Sequence, residues 1–418
     1  MIALIDCNSF YCSCERLFRP DLARRPVGVL SNNDGCFVSL TPELKALGVP
    51  MGSPYFQYKN VCEKNKVAVF SANFSLYTNL SDRVMKTLSP LAPVHEIYSI
   101  DESFMDLSGI SNLLDHGKII RAKILRDVGI PVSVGIAPTK TLAKVANHIA
   151  KSDPSLGGVL VIKNQNDIDQ ALTRTTVGKL WGVGKQSEIK LRILGIQNAK
   201  QFRDFKNEKI IQSILTKTGR QIQDELKGII CKPISNQIEK KKEIMSSRTF
   251  GRPVYDKRYL CESVANYTSL AAEKLRKQNS VCQIIQVGFR TNPYKETSQY
   301  YAYDSFCFQT HTSDTRKLIQ VAMSLVDGLY SYGYEYKKAM VRLTNIIDTN
   351  QTQLSLFETP DSALDQILMK TMDNINTKEG YQILKSAACG VDNLAWKMRQ
   401  ELKTPRFLTG WSELFKVY

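Results

Sequence analysis

The segment 96–104, EIYSIDESF, places two adjacent carboxylates, Asp101 and Glu102, directly after a short apolar stretch. A third acid, Asp6, follows the apolar opening residues MIALI. Each position is typical of the end of a buried strand, where carboxylates repel one another and are costly to remove from water. We therefore expect positive charge between them. A pair of Mg²⁺ ions fits this expectation, because Mg²⁺ prefers oxygen ligands and partners phosphates.

Basic residues are distributed unevenly along the 418-residue chain, which is long enough for several domains. The formal net charge is +16. Segment 166–232 has 13 basic and 7 acidic residues and segment 233–348 has 17 and 11, so each carries +6. A basic excess sustained over two segments indicates a surface that follows a polyanion such as nucleic acid. The alternative is a solvated, lysine-rich surface.

Neither membrane insertion nor zinc or disulfide chemistry is indicated. The sequence has no apolar run of membrane-spanning length and no signal-peptide pattern. Its ten cysteines form no CxxC pair and it has only four histidines, which argues against a zinc site and against a disulfide framework. We therefore expect a cytoplasmic protein with reduced thiols and no membrane partner.

Hydrophobic periodicity predicts an α+β protein with several domains. Leucine and valine recur every four residues in an amphipathic helix predicted over 74–88. Strands are predicted at 27–30 and 132–136, with an acidic hairpin at 96–107, and 166–232 is predicted to be mostly helical. The remaining pattern predicts βαββαβ, a compact sheet with helices on one face. Its elements are expected at 244–250, 259–278, 282–290, 299–308, 315–332 and 338–346.

Four motifs occur in an order that resembles the Y-family, or translesion, DNA polymerases. These motifs are DCNSFY from position 6, SIDE from 99, GIAPTK from 135 and GVG from 182. The segments LSNNDGC from 30 and EIYSIDE from 96 are more narrowly similar to the UmuC type of that family. The resemblance implies a right-hand polymerase with a palm, small fingers, a helical thumb containing a helix-hairpin-helix, and a βαββαβ little finger. The implied boundaries are 1–30 and 73–165 for the palm, 31–72 for the fingers, 166–232 for the thumb, 233–243 for a linker, 244–347 for the little finger and 348–418 for a clamp- and partner-binding tail.

The resemblance assigns the three acids to a two-metal catalytic site. Asp6 and Asp101 would bridge two Mg²⁺ ions. Glu102 would complete the site that activates the primer 3′-hydroxyl, and the backbone carbonyl of Cys7 would ligate the ion that enters with the nucleotide. Two ions about 3.5–4 Å apart activate the nucleophile and neutralise the leaving group. Taken singly, each acid has the alternative of being a cap or a surface carboxylate.

Tyr11 is the residue that the resemblance places beneath the sugar of the incoming nucleotide, as a steric gate. A flat ring rejects a 2′-hydroxyl by contact, which an open apolar pocket does poorly; core packing is the alternative. The Phe10 side chain is expected in the core, and the backbone N–H groups of Phe10 and Tyr11 are expected to bind the triphosphate. Pro42 stands where many relatives have a tyrosine that touches phosphate, so that contact is missing or supplied elsewhere. The other nucleotide-binding residues implied are Ser39, Lys45 and Lys151.

Backbone phosphate contacts are expected at the turn Gly182-Val183-Gly184. The glycines let N–H groups approach a DNA phosphate at the N-terminus of a helix that begins near Lys185. Alone, such a turn is more often only a turn, but this one lies beside a basic helical segment. The remaining DNA-binding residues expected are Arg248 and Arg252 of the little finger. The lysines expected to face solvent or DNA and not to act in catalysis are Lys140 and Lys144.

The segment QLSLF resembles a peptide that binds the sliding clamp through Gln353, Leu354, Leu356 and Phe357. A polar anchor and apolar side chains on a flexible strand fill a pocket on such a ring, and a plain edge strand is the alternative. The helix predicted at 362–376 either binds a partner or docks on its own protein. The resemblance also implies a UmuD′-like dimer, and a recombinase filament with ATP, as activators.

The resemblance, together with these features, implies an error-prone DNA-directed DNA polymerase that performs translesion synthesis in the SOS response to DNA damage. Its substrates would be primer–template DNA and dNTPs. The fingers segment is too short for the long closing helix of accurate polymerases, and the sequence has no second acidic cluster for proofreading. Two alternatives stay open: a non-catalytic DNA-binding scaffold with a vestigial metal site, and a two-metal nuclease.

Overall fold

A computed structural model describes residues 1–236, 239–351, 361–378, 383–391, 396–405, 407–408 and 413. The chain forms two compact units. The first comprises 1–31, 35–238 and 402–418, and the second comprises 32–34 and 239–401. Every described helix is too short or too polar to span a lipid bilayer.

The described strands of the first unit form two separate sheets. One has five strands in the order β5-β6-β1-β7-β8, and the other has three in the order β3-β2-β4. The strand predicted at 27–30 is β2, and it pairs with β3 and β4 of the 31–72 segment. This small sheet has a hydrophobic core of its own. The strands are β1 (Ile2–Cys7), β2 (Val27–Leu30), β3 (Phe37–Leu40), β4 (Ala68–Ser71), β5 (Val94–Ile97), β6 (Glu102–Asp106), β7 (Val132–Ala137) and β8 (Val159–Val161).

The described helices of the first unit include the amphipathic helix predicted over 74–88, which is confirmed. The predicted helical character of 166–232 is also confirmed, and its helices share one hydrophobic core with α6. The helices are α1 (Phe10–Leu17), α2 (Pro42–Ala46), α3 (Tyr55–Lys64), α4 (Phe74–Leu88), α5 (Leu113–Val128), α6 (Lys140–Ser152), α7 (Gln165–Arg174), α8 (Lys185–Ile193), α9 (Ala199–Asp204) and α10 (Glu208–Leu226).

The central strand β1 is covered on both faces, which explains its nearly continuous apolar sequence. Successive side chains of a strand point to opposite faces. Ala3 and Ile5 accordingly pack into the core that contains α4 and α5, whereas Ile2 and Leu4 pack into the core that contains α6. By the same alternation Asp6 lies on the α6 side of the sheet.

Helix α6 lies against β7 at a distance that only glycine permits. A Cβ atom on Gly135 would stand 2.2 Å from the backbone nitrogen of Asn147 and 2.4 Å from the carbonyl oxygen of Ala143. Asn147 Nδ2 also donates to the carbonyl of Ser133 over 2.8 Å. This close approach fixes the polar face of α6 over the end of the sheet where the acids lie.

The N-terminus of α6 receives the buried side chain of Glu225 from α10. Its Oε2 accepts hydrogen bonds from the amide (2.9 Å) and the hydroxyl of Thr141. Its Oε1 accepts from the amide of Lys232 at 3.0 Å. A carboxylate is stabilised at a helix N-terminus by the unsatisfied amide groups there. This contact joins the helical segment to the five-stranded sheet through α6.

The second unit has the predicted βαββαβ order. Its four strands form one antiparallel sheet in the order β11-β10-β12-β9. The predicted boundaries are within four residues of the observed ones. The elements are β9 (Ile244–Val254), α11 (Lys257–Lys277), β10 (Ser280–Arg290), β11 (Tyr301–Thr312), α12 (Thr315–Leu329) and β12 (Tyr336–Asp348).

The helix predicted at 362–376 is α13 (Ala363–Lys378), and it docks within the second unit. Met369 is buried, and the guanidinium of Arg276 pairs with both carboxylate oxygens of Asp373 at 2.7 Å. Docking on its own protein, one of the two alternatives left open by the sequence, is therefore observed.

Candidate active site

Asp6 and Glu102 are direct cross-strand partners in the central sheet. Strands β1 and β6 are antiparallel, with Asp6 opposite Glu102. The amide of Cys7 donates to the carbonyl of Asp101 over 2.9 Å. The prediction that every acid ends a strand is wrong for two of them, because Asp101 precedes β6 and Glu102 begins it. Antiparallel pairing still brings the end of β1 to the start of β6, so the three acids converge.

Two lysines of α6 act as counter-ions for these acids. The ammonium group of Lys151 pairs with the carboxylate of Asp6. The ammonium group of Lys144 lies 2.9 Å from a carboxylate oxygen of Glu102. Residues seven apart lie on one helix face two turns apart, so this spacing was a sequence signal for a pair of lysines above the sheet. These lysines supply part of the positive charge that the sequence predicts near the acids.

The expectation of a solvent- or DNA-facing lysine is wrong for Lys140, whereas Lys144 lines the cleft and pairs with Glu102. Lys140 is only 5% exposed and its ammonium group lies 2.7 Å from the Glu96 carboxylate. The Lys144 ammonium group lies 4.8 Å from the ring centre of Tyr98 and 5.2 Å from that of Trp181. A buried ammonium group requires such partners because desolvation of its charge is costly.

The surroundings of Asp6 disfavour its negative charge. Burial raises the pKa of this carboxyl to about 6, and the charges of Glu102 and Asp101 raise it further, against the opposing effect of Lys151. Burial raises the pKa of the Cys7 thiol strongly, with the charges of Asp6 and Asp101 acting in the same direction. Cys7 is therefore a neutral thiol in the core, and only its backbone remains as a candidate ligand.

The residues at this position fit a divalent metal ion. Within the described part of the chain, no three or more His, Cys, Asp or Glu side chains are arranged as a ready-made metal site. The acids are nevertheless oxygen donors, which Mg²⁺ prefers. The neighbouring charges of Glu102 and Asp101 also raise the pKa of Asp6, and a cation between the acids would offset that repulsion. A cleft of about 270 Å³, lined by Asp6, Glu102, Lys144 and Lys151 among others, gives access to them.

Tyr11 lies in the first turn of α1, immediately after β1. Its ring stacks on Tyr77 of α4, with ring centres 4.5 Å apart and planes at 16°, and meets Phe74 edge to face. Burial and the charge of Asp101 both raise the pKa of the Tyr11 hydroxyl, so the ring lies within electrostatic reach of the acids. The side chain of Phe10 is buried in the core, as expected. The aromatic support for Tyr11 was missed, although Tyr77 lies in a correctly predicted helix.

The other predicted nucleotide contacts lie in the small sheet and its helix. Ser39 of β3 is buried, and its hydroxyl accepts a hydrogen bond from the amide of Cys12 at 3.4 Å. Lys45 of α2 is exposed, and Pro42 begins the same helix. Ser39 therefore has a packing role in this structure, and its role toward a nucleotide stays a prediction, as does that of Lys45.

The turn predicted to bind a DNA phosphate precedes α8. Gly182 has φ of +91°, a conformation that favours glycine. Gly184 is the N-cap of α8 and offers no side chain to satisfy the first amides, and Lys185 is exposed at the first helical position. In the second unit, Arg248 is half-buried and Arg252 is exposed on β9. These positions are compatible with phosphate contacts, which stay predictions.

The predicted clamp-binding residues Gln353, Leu354, Leu356 and Phe357 lie outside the described residues. Their role therefore stays a prediction.

Comparison with families of known proteins finds three matched regions. The impB/mucB/samB family matches residues 5–148, and the C-terminal domain of the same family matches residues 241–356. A domain of unknown function, DUF4113, matches residues 366–417.

Individual relatives match over the full chain. Protein UmuC of Salmonella typhimurium is 39% identical over 100% of both chains, and protein ImpB of Salmonella typhimurium is 37% identical over 99% of both. DNA polymerase IV 1 of Bacillus subtilis is 26% identical over 92% of both. Among solved structures, a Y-family DNA polymerase chimera of Dbh and Dpo4 matches with a TM-score of 0.67 and 23% identity, covering 83% of this chain and all of that one.

The fold is that of the Y-family DNA polymerases, a right-hand architecture of mixed α+β domains. Its acid-bearing sheet, helical segment and separate βαββαβ sheet are the parts expected of that class. Within this class, the chain belongs to the impB/mucB/samB family.

Proposed function

We infer that this protein is a DNA-directed DNA polymerase that performs error-prone translesion synthesis in the SOS response to DNA damage. The observation that carries the inference is the pairing of β1 with β6, which sets Asp6 beside Glu102 at a cleft flanked by lysines. Membership of a family whose relatives include proteins named DNA polymerase IV supports the same reaction. The scaffold and nuclease alternatives have no comparable support.

We propose that Asp6 and Asp101 hold two Mg²⁺ ions, with Glu102 and the backbone carbonyl of Cys7 completing the ligand set. Bound there, the ions would supply the positive charge that activates a primer 3′-hydroxyl and neutralises the departing pyrophosphate. Lys151, which pairs with Asp6 in the structure, would then be free to turn toward the triphosphate. An ammonium group on a flexible stem suits that exchange of partners.

We propose that Tyr11 excludes ribonucleotides by contact with the 2′-hydroxyl. Its ring is backed by the stacked ring of Tyr77 and cannot retreat without disturbing α4. The backbone amides of Phe10 and Tyr11 at the start of α1 would bind the triphosphate, since the first amides of a helix have no partner within it. Ser39 and Lys45 of the fingers would also contact the nucleotide.

We propose that duplex DNA is bound through its phosphates and without regard to sequence. Gly182, Gly184 and Lys185 would contact one phosphate at the start of α8, and Arg248 and Arg252 would contact others from β9. In this proposal 1–30 and 73–165 form the palm, 31–72 the fingers, 166–232 the thumb, 233–243 the linker, 244–347 the little finger and 348–418 the tail.

We propose three protein partners and a cytoplasmic site of action. The segment at 353–357 would bind a sliding clamp, which would hold the polymerase on DNA. Similarity to a protein named UmuC suggests a UmuD′-like dimer as a subunit. A recombinase filament with ATP would complete the activated enzyme.

Primer extension on a labelled primer–template tests this function against both alternatives. We expect the purified chain, alone or with a UmuD′-type dimer and a recombinase filament, to lengthen the primer with dNTPs and Mg²⁺. A chelator should stop extension, and added Mg²⁺ should restore it. A shortened primer would favour the nuclease, whereas DNA binding without any change in primer length under all conditions would favour the scaffold.

A further inference from the structure

A C-terminal segment, defined as residues 402–405 and 407–408, packs against the first unit behind Tyr11. The amide of Ser71 donates to the carbonyl of Leu402 over 3.0 Å, and the amide of Leu402 donates to the Ser71 hydroxyl over 2.9 Å. These bonds extend the end of β4 toward the C-terminal segment. The segment lies within the region matched by the domain of unknown function.

Buried side chains of the first unit hold this segment in place. The amide group of Asn73, which is fully buried, donates to the carbonyl and hydroxyl of Thr404 at 3.3 and 3.1 Å. The ring of Phe407 is 6% exposed and stacks on Phe18, with ring centres 4.7 Å apart and planes at 15°. Phe407 belongs to the same hydrophobic core as β1, α1 and α4. The segment is thus built into the unit that carries the acids.

A buried carboxyl links the segment to the aromatic stack. Glu15 is fully buried, and its Oε1 accepts a hydrogen bond from the Tyr77 hydroxyl at 2.6 Å and from the Thr404 hydroxyl at 3.3 Å. Its Oε2 has no hydrogen-bond partner among the described residues. Tyr77 in turn stacks on Tyr11. An unbroken series of contacts therefore runs from the C-terminal segment to the proposed gate.

We propose that the C-terminal segment is a positioning element for the sugar gate: through Glu15 and Tyr77, it fixes the ring of Tyr11. The proposal rests on the gate role of Tyr11 given under the proposed function. Rejection of one hydroxyl by contact depends on ring position, because a ring that can retreat makes room for the extra oxygen. Loosening the segment should therefore admit ribonucleotides while leaving deoxyribonucleotide insertion nearly intact.

The test compares three full-length variants by their ratio of kcat/KM for a dNTP to that for the matching rNTP. Phe407→Ala removes the stacking anchor and should lower this ratio by about tenfold. Thr404→Val removes the hydroxyl that donates to Glu15 and accepts from Asn73, and should lower the ratio by about threefold. Lys403→Ala alters an exposed side chain of the same segment and should leave it unchanged. Insertion of dNTPs should stay within about threefold of wild type in all three.

A double variant shows whether the effect acts through Tyr11. Phe407→Ala added to Tyr11→Ala should cause no further loss of sugar discrimination, because the ring to be positioned is gone. Equal loss of dNTP and rNTP insertion in Phe407→Ala, with the ratio unchanged, would overturn the proposal. If Phe407→Ala does not fold, Phe407→Leu and Thr404→Val provide the same comparison.

Hydrogen–deuterium exchange separates failure of this proposal from failure of the proposed function. Protection of the amides in α1 and in the first turn of α4 should fall in Phe407→Ala and not in Lys403→Ala. If Tyr11→Ala leaves discrimination unchanged, the gate is wrong, and the exchange experiment alone decides whether the segment positions Tyr11. Equal exchange in both Phe407→Ala and Lys403→Ala would then overturn the positioning role.

Discussion

Helix α6 contacts acids at two places, and the two places differ in how the negative charge is satisfied. At its N-terminus, Glu225 accepts hydrogen bonds from the amide and hydroxyl of Thr141 on one oxygen and from the amide of Lys232 on the other. Along its face, Asp6 and Glu102 have lysine partners at an open cleft. Glu225 is fully buried, whereas the Asp6 side chain is 15% exposed.

The difference distinguishes a structural acid from acids available for chemistry. Fixed amide and hydroxyl groups donate hydrogen bonds to both carboxylate oxygens of Glu225, so its charge is stabilised without a cation. The lysines opposite Asp6 and Glu102 sit on flexible stems, and burial raises the pKa of Asp6 even with Lys151 paired to it. A divalent ion can therefore displace the lysines from Asp6 and Glu102, but it cannot displace the fixed donors of Glu225.

Removing one site acid should have the largest effect of the variants considered. Asp101→Asn keeps the shape of the side chain but loses the charge that would hold a metal ion, so primer extension should fall by about 10³-fold or more. Thermal unfolding should change little. Asp106→Asn is the matched control, because Asp106 lies at the other end of β6 and accepts hydrogen bonds from Ser108. Equal activity of Asp101→Asn and wild type would show that the acids at the cleft are not the catalytic ones.

Tyr11→Ala should change sugar choice by a smaller but still large factor. Without the ring, discrimination against ribonucleotides should fall by about 10²-fold, since nothing then blocks the 2′-hydroxyl. Competing dNTP and rNTP insertion opposite the same template base measures this ratio. Phe56→Ala, which removes an exposed ring from α3, is the control. If Tyr11→Ala discriminates against ribonucleotides as well as wild type does, the Tyr11 ring has only a core-packing role.

The elements that could be predicted from the sequence are those whose pattern is local. The helix over 74–88 and the βαββαβ order follow from periodicity within a single segment. The convergence of Asp6 and Glu102 was predicted from the apolar runs that precede them, although the strand ends were assigned wrongly.

The spacing of Lys144 and Lys151 places both on one face of α6, but their pairing with the acids depends on how α6 lies over the sheet. Lys140 looks like a solvated residue in the sequence, yet it is buried against Glu96. The position of α6 is set by Gly135, whose missing side chain matters only once the helix and strand are in contact. The contact between Glu15 and Thr404 spans almost the whole chain and has no local signal.

Glu15 is another fully buried acid, and among the described residues only one of its two carboxylate oxygens has a hydrogen-bond partner. Burial raises its pKa from 4.5 to about 7, against the opposing hydrogen bonds of Tyr77 and Thr404. Because folding raises the pKa of Glu15, the protein is more stable when this carboxyl is protonated, and the resulting contribution to the free energy of unfolding is fully present below about pH 4.5. It is lost as pH rises through about 7, and amounts to about 3 kcal/mol.

Glu15→Gln should remove this pH dependence. The difference in free energy of unfolding between wild type and variant, measured by denaturant between pH 5 and 8, isolates Glu15 from Asp6, which titrates in both proteins. Within the described part of the chain, the other titratable groups that interact with Glu15 are Tyr77, Cys12 and Cys14, and burial raises the pKa of each, so they stay neutral over this range. Parallel pH profiles for the two proteins would show that Glu15 is not a strained acid.

Glu225→Gln should have the smallest effect on primer extension of the variants considered. The substituted amide presents an NH₂ group where the carboxylate accepted from Thr141 or Lys232, so at least one donor loses its partner. We expect the free energy of unfolding to fall by about 1–3 kcal/mol. Primer extension at a temperature where the variant is folded should stay close to wild type, since the acids at the cleft keep their lysines. Loss of activity with unchanged stability would mean that the N-terminus of α6 is part of the reactive site, and the division between structural and reactive acids would have to be abandoned.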